Sequence, residues 1–238
     1  GFGSFPGAPV NPTEAIVHAL ERKYGRLLLL AGIELRTAIL PVSYDDVESA
    51  ITGLLKYHQP DVIVHLGLAG RRKVISIETR ARNRLSIVHP DADGAMNHAM
   101  EIVTGGGAIA PARWPAARLV QAVKQSGCPA KPSIDAGDYL CNQALYLSLG
   151  HHNGLCGFIH VPKIRKMRSG LSMRKPPGKP GVLLPSRSEI ERGVIASLRL
   201  LATEHRRRKQ FIAQLMLPGS LGRITMPRGA PWAISTQS

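Results

Sequence analysis

One apolar run narrows the possible folds more than any other part of the chain. Residues 61–70 have the sequence DVIVHLGLAG, an almost uninterrupted apolar stretch that ends in glycines. Such a run, without alternating polar residues, is typical of a strand buried on both faces in a parallel sheet. The segment GFIHVP at residues 157–162 predicts another strand. Because a sheet of this kind needs helices on both faces, the runs favour an α/β fold.

Helical and strand patterns alternate along the rest of the chain. They predict helices over residues 11–25, 43–59, 114–127, 138–152 and 186–205. They predict strands over residues 33–42, 61–70 and 73–81, within 129–137, and over 157–162. Ser188 and Glu191 have the spacing of a capping box for the last helix. This order predicts one α/β domain with a largely parallel sheet.

The net charge of +15 is unevenly distributed. Residues 1–160 carry a net charge of +2, and residues 161–238 carry +13 in a region rich in proline and glycine. Such a charge run is usually solvated, and no nucleic-acid-binding motif accompanies it. We therefore expect no specific nucleic-acid partner. Residues 204–238 are predicted to form a basic, irregular extension of the folded domain.

The three cysteines are Cys128, Cys141 and Cys156, too few and odd in number for a disulfide framework. They predict free thiols in a reducing compartment, and therefore a cytoplasmic protein. No run of eighteen apolar residues is present, so no membrane span or membrane partner is expected. The first twelve residues lack the features of a signal peptide. They have the character of a loop that follows a strand, so we expect that a first strand is missing before residue 1.

Cys141 and His160 form the sharpest candidate for a reactive pair. Cys141 lies in the first turn of a predicted helix, where unpaired N–H groups and the helix dipole lower a thiol pKa. His160 ends a predicted strand, at the edge where open α/β sheets hold their sites. Glu78 is a candidate to orient the imidazole. Spacing alone leaves plainer interpretations open, namely core packing for Cys141, a structural hydrogen bond for His160 and pairing with nearby arginines for Glu78.

A zinc site is a second hypothesis for this segment. His151, His152, Cys156 and His160 lie within ten residues of one another, and zinc binds both imidazole and thiolate. Structural zinc sites usually contain close ligand pairs such as C-x₂-C, which this segment lacks. His151 and His152 also suit a helix C-terminus, where cationic side chains interact well with the dipole. We therefore predict no metal site.

Five segments, in order along the chain, resemble pyroglutamyl peptidase I, a family of cysteine peptidases that remove N-terminal pyroglutamate. They are GFGSFPGAPVNP at 1–12, LPVSY at 40–44, GLAGRRKVISIE at 67–78, IDAGDYLCN at 134–142 and GFIHVP at 157–162. Five motifs in the right order are far more specific than any one of them. The resemblance covers residues 1–203, which we predict to form the folded domain.

The resemblance implies an α/β fold, a three-layer α/β/α sandwich around a mixed, largely parallel sheet. It also implies a cysteine exopeptidase that removes N-terminal pyroglutamate from peptides through an acyl-enzyme. In the family pattern Cys141 is the nucleophile, His160 is the general base and Glu78 is the orienting acid.

The family pattern also implies a substrate pocket. Phe2 and Phe5 match the two aromatic residues that enclose the pyrrolidone ring, and Asn11 matches an asparagine that orders this loop. Neither a metal nor an organic cofactor is implied. The expected partners are peptides with N-terminal pyroglutamate and further copies of the chain, in a homodimer or homotetramer.

Two positions depart from the family pattern. Val88 stands where the family usually has an arginine that lines the site, and Asp138 stands where it prefers threonine. A carboxylate close to Cys141 would raise the thiol pKa. These departures favour an alternative function, that of a catalytically impaired relative. It would act as a binding protein, with a basic tail that contacts RNA or an acidic partner.

Overall fold

The computed structural model describes residues 1–5, 8–165 and 183–215. Its helices are α1 (Pro12–Ala19), a π-helical segment (Leu20–Tyr24), α2 (Gly25–Leu30), α3 (Asp46–His58), α4 (Ala116–Gln125), α5 (Leu140–His151) and α6 (Arg187–Leu215). Its strands are β1 (Val62–Leu68), β2 (Ile75–Glu78), β3 (Arg80–Arg82), β4 (Ile109–Pro111), β5 (Ala130–Ser133) and β6 (Leu155–Val161).

Four strands form the central sheet in the order β1-β6-β2-β5. β1 pairs in parallel with β6, and β2 pairs in parallel with β5, whereas β2 and β6 are antiparallel. Strands β3 and β4 form a separate antiparallel pair. The prediction of a mixed, largely parallel sheet is therefore confirmed.

Helices cover both faces of the sheet. Side chains alternate across a strand, so each strand contributes to two cores. On one face, Leu66, Ile77 and Ile159 pack in a core with residues of α1, α4 and α6. On the other face, Phe158 packs in a core with residues of α3 and α5. This arrangement is the expected α/β/α sandwich, and it places α5 directly over β6.

The strand predicted over residues 33–42 is wrong. Within this segment Leu40 makes an isolated bridge with Phe2, and no ladder forms. Residues of this segment and of β1 both line a cavity of about 740 Å³, and the two do not pair. A strand needs a neighbour for its backbone groups, and among the described residues this segment makes a single isolated bridge. The expected strand before residue 1 stays a prediction.

The last helix differs from its prediction at both ends. The capping box is formed by Ser186 and Glu189, not by Ser188 and Glu191. The Ser186 N–H donates to Glu189 Oε2 at 2.6 Å, and the Glu189 N–H donates to Ser186 Oγ at 3.3 Å. Helix α6 also continues through residues 204–215, which were predicted to be irregular. A basic run by itself does not end a helix, and the next glycine and proline come after Leu215.

The rest of the predicted basic extension, residues 216–238, lies outside the described residues. Among the helices that the structure describes, none has both the length and the apolar character that crossing a membrane requires.

Candidate active site

The loop before α5 places Cys141 at the start of that helix. Gly137 turns the chain with φ +86°, a conformation that favours glycine. Leu140 is the first helical residue, so Cys141 lies in the first turn as predicted. The buried side chain of Asn142 fixes this helix end against β3. It accepts a hydrogen bond from the Arg82 N–H at 2.9 Å and donates to the Arg84 carbonyl at 2.9 Å.

Gly67 makes room for the Cys141 sulfur beside His160. In the parallel pairing of β1 with β6, Gly67 is the register partner of His160, so their side-chain positions share one face of the sheet. A Cβ at Gly67 would lie 2.8 Å from Cys141 Sγ and 2.5 Å from the Phe158 ring. The sulfur therefore occupies the space that a larger residue would fill. This places Cys141 Sγ in the immediate neighbourhood of the imidazole.

Glu78 holds the His160 ring from the adjacent strand. His160 Nδ1 lies 2.8 Å from Glu78 Oε1, and both side chains are buried. The ring of Phe158 packs against the imidazole with a centroid distance of 4.6 Å. Because Nδ1 is engaged with the carboxylate, Nε2 is the nitrogen left for the thiol. The structure thus joins His160 to Glu78 and places Cys141 Sγ at Gly67, the register partner of His160, while the catalytic roles of the three residues stay a prediction.

Burial controls the protonation of the pair. Burial, and then the charge of Glu78, raise the pKa of the Cys141 thiol to about 12, while Arg72 and the backbone N–H of Cys141 act in the opposite direction. Burial also lowers the pKa of His160, although the hydrogen bond to Glu78 opposes this shift. At neutral pH the site therefore holds a neutral thiol beside a neutral imidazole.

The expected lowering of the Cys141 pKa by the helix N-terminus is therefore wrong. The sulfur packs at Gly67, and loss of hydration outweighs the dipole of the helix end. Asp138 is not among the charges that shift this pKa. Its carbonyl accepts a hydrogen bond from the Ser86 N–H at 2.6 Å, and the raised value comes from burial and Glu78.

We predict that iodoacetamide alkylates Cys141 slowly at neutral pH. The thiolate is the reacting species, so a raised pKa should make the rate at pH 7 at least about 10-fold lower than that of free cysteine. The rate should still rise above pH 9. Mass spectrometry of the alkylated peptide measures this rate, and Cys141→Ala reports the background from buried Cys128 and Cys156. A rate plateau below pH 8 would contradict the prediction.

Comparison with known proteins identifies the family. A family model described as pyroglutamyl peptidase matches residues 1–182. A pyrrolidone-carboxylate peptidase of Pyrococcus furiosus is 34% identical over 170 residues, which are 69% of this chain and 79% of that protein. The pyrrolidone-carboxylate peptidase 1 of Ralstonia nicotianae is 30% identical over 220 residues, which are 90% of this chain and 94% of that protein. The chain belongs to the pyroglutamyl peptidase family.

Solved structures of pyrrolidone carboxyl peptidases have the same fold as this member of the pyroglutamyl peptidase family. The crystal structure from Thermus thermophilus aligns with a TM-score of 0.68 and 31% identity, covering 84% of this chain and 96% of that chain. A structure from Pyrococcus furiosus aligns with a TM-score of 0.72 and 29% identity, covering 86% and 97%.

The three predicted substrate-binding residues of this pyroglutamyl peptidase family member lie near the start of the chain, and each makes a contact there. Phe2 is buried and stacks on Phe158 with a centroid distance of 6.1 Å. Phe5 is partly buried and packs against Tyr139, two residues before Cys141, at 5.9 Å. Asn11 donates from Nδ2 to the Gly3 carbonyl at 2.9 Å. Their role in substrate binding stays a prediction, which the position of Phe5 beside the residue that precedes α5 supports.

The four residues of the zinc hypothesis do not converge. His151 pairs with Glu48 at 3.1 Å on the surface, and His160 is bound to Glu78. Cys156 is buried in the same core as Phe158. Within residues 1–5, 8–165 and 183–215, no group of three or more histidine, cysteine or acidic side chains is placed to hold a metal ion.

Two residues of the site were not identified from the sequence. Gly67 could have been identified, because a glycine inside a strand pattern often marks a close approach of another group. No pattern in the sequence distinguishes Arg72, since it follows Arg71 in a basic segment and either arginine could point to the site. In the structure Arg72 donates to Glu78 Oε1 at 2.6 Å.

Proposed function

We propose that this chain is a cysteine exopeptidase that removes N-terminal pyroglutamate from peptides. The observation that carries the proposal is the grouping of Cys141, His160 and Glu78 in a chain of the pyroglutamyl peptidase family. The grouping supplies a nucleophile, a base and a group that orients the base, which are the elements of acyl transfer through a thioester.

The first half of the reaction forms the acyl-enzyme. When the substrate binds, His160 Nε2 takes the proton of the Cys141 thiol and Sγ attacks the pyroglutamyl carbonyl. The N–H groups of Asn142 and Gln143 already donate to the Tyr139 carbonyl, at 2.9 and 3.2 Å. The backbone N–H of Cys141 favours the thiolate, so we propose it as the donor for the oxyanion.

The second half releases the acid. The C–N bond breaks, and His160 gives its proton to the leaving amine of the shortened peptide. Water then attacks the thioester, with His160 accepting a proton from it, and the C–S bond breaks. The proton returns to Sγ, which restores the resting thiol and imidazole. A neutral imidazole is needed at the start of both halves, and this is the form that burial favours.

Substrate selection rests on the chemistry of pyroglutamate. The group is a neutral lactam without a free amine, so a site that selects it needs an apolar wall and a few hydrogen bonds. Phe5 and Tyr139 offer such a wall next to the start of α5. We propose Phe2, Phe5 and Asn11 as the residues that shape this pocket.

We also propose a cytoplasmic location and a homodimer or homotetramer. The three cysteines are free and none forms a disulfide, which supports a reducing compartment. The oligomer follows from the family resemblance alone.

Hydrolysis of two coumarin amides tests the function. Pyroglutamyl coumarin amide should be cleaved with a kcat/KM at least about 100-fold above that of the prolyl amide, which has the same ring without the lactam carbonyl and with a charged amine. Fluorescence of the released coumarin measures both rates. A folded protein that cleaves neither amide would refute the proposal and favour the non-catalytic binding protein instead.

A further inference from the structure

We propose that Arg72 is a positioning residue of this site, which sets the charge balance of Cys141, His160 and Glu78 and anchors the loop before the nucleophile. Its importance for hydrolysis rests on the proposed function above. Its effect on the thiol does not, because the thiol can be measured without turnover.

Arg72 joins the buried carboxylate to the nucleophile loop. It lies in the turn between β1 and β2, where its N–H donates to the Ala69 carbonyl at 2.9 Å. One guanidinium nitrogen donates to Glu78 Oε1 at 2.6 Å, and the other donates to the Asp135 carbonyl at 2.6 Å. The planar guanidinium suits such a double contact, which a lysine cannot reproduce.

The Glu78 carboxylate interacts with two partners, Arg72 and His160. The Glu78 side chain is fully buried, and a buried carboxylate needs compensation by a positive charge or by hydrogen bonds. His160 Nδ1 and Arg72 both use Oε1, whereas Oε2 is buried without a hydrogen-bond partner. Without Arg72, the negative charge would act on the imidazole alone and hold a proton there more strongly.

Arg72 acts on both members of the reactive pair in the same direction. Its positive charge lowers the pKa of the Cys141 thiol and that of the His160 imidazolium. Glu78 raises both pKa values, so the arginine offsets the carboxylate that orients the ring. Within the described residues, the other titratable groups that act on the pair are Asp135, Tyr139 and the amino group of Gly1.

The contact with Asp135 fixes the loop that leads into α5. Two further arginines hold the same loop: Arg80 Nε donates to the Ile134 carbonyl at 3.0 Å, and Arg82 lies 3.8 Å from the Asp135 carboxylate. Of the three, Arg72 also contacts Glu78. Arg80 therefore offers a matched control that removes a loop contact and leaves the charge at the carboxylate in place.

The test compares Arg72→Gln, Arg72→Lys and Arg80→Gln in the full chain. For Arg72→Gln we expect kcat/KM for the pyroglutamyl amide to fall about 100-fold at pH 7. The acidic limb of the pH profile, where His160 must lose its proton, should move up by about one pH unit. Alkylation of Cys141 by iodoacetamide should likewise require a higher pH. Arg80→Gln should leave both pH dependences unchanged.

Arg72→Lys separates the effect of the positive charge at position 72 from that of the double contact of the guanidinium. It keeps the positive charge, so both pH dependences should stay within about half a unit of the wild type, while kcat falls because the double contact is lost. If Arg72→Gln loses the same fraction of activity at every pH and its alkylation is unchanged, Arg72 only supports the loop structurally. That result would overturn the proposal. Unchanged activity would overturn it as well. If the wild type does not hydrolyse the amide, the proposed function fails, and alkylation still decides the role of Arg72.

Discussion

Cys141→Ala is expected to lower kcat/KM for the pyroglutamyl coumarin amide by a factor of about 10⁵, to the background of the assay. The variant removes the atom that forms the acyl-enzyme, so the remaining site can only bind and orient the substrate. Cys141→Ser should be almost as inactive. A hydroxyl has a much higher pKa than a thiol, and burial at this position disfavours its ionisation further.

Cys128→Ala provides the matched control for the nucleophile. Cys128 is buried in the core on the opposite face of the sheet, among residues of α4 and α6. Its loss should lower the melting temperature slightly through reduced packing and leave kcat/KM within about twofold of the wild type. Activity retained by Cys141→Ala, or lost equally in Cys128→Ala, would show that the thiol at position 141 is not the nucleophile.

The sequence predicted the elements that carry the site because their signals are local. The start of α5 follows a glycine that reverses the chain, and β6 is a short apolar run, so both could be located without knowledge of their neighbours. The approach of Cys141 to His160 also depends on the pairing of β1 with β6. Gly67 faces His160 only through that long-range register, which no local pattern specifies.

The wrong predictions have the same origin. Residues 33–42 have the composition of a strand, but a strand exists only where a neighbour accepts its hydrogen bonds, and in the described residues this segment has one isolated bridge. The lowering of the thiol pKa was predicted from the helix end, and Asp138 was expected to oppose it. The structure adds the burial of the sulfur and the nearby charge of Glu78, which reverse the direction of the shift. Local rules thus placed Cys141 correctly in the first turn of α5 and gave the wrong direction for its pKa.

Glu78→Gln is expected to lower kcat by about 10⁴-fold while it makes Cys141 easier to alkylate. The amide has nearly the same shape as the carboxylate, so the fold should persist. Without the negative charge, however, the imidazolium that forms during the reaction loses its stabilising partner. The amide nitrogen can also donate to Nδ1, which would move the ring proton to Nε2 and block the acceptance of the thiol proton.

In Glu78→Gln the alkylation rate of Cys141 is expected to rise although kcat falls, because Glu78 acts on the thiol as well as on the imidazole. Its charge raises the pKa of Cys141, so its removal lowers that pKa, and iodoacetamide should react faster at pH 7 in Glu78→Gln than in the wild type. Glu34→Gln, a surface change beside Arg36, is the control and should alter neither rate. Misfolding would also expose the thiol and raise its alkylation, because burial is the main cause of its raised pKa. The melting temperature of Glu78→Gln is therefore measured alongside and should stay close to that of the wild type. In a folded variant, faster alkylation with a loss of turnover is the result expected if Glu78 serves the imidazole and opposes the thiolate, and unchanged or slower alkylation would contradict the prediction.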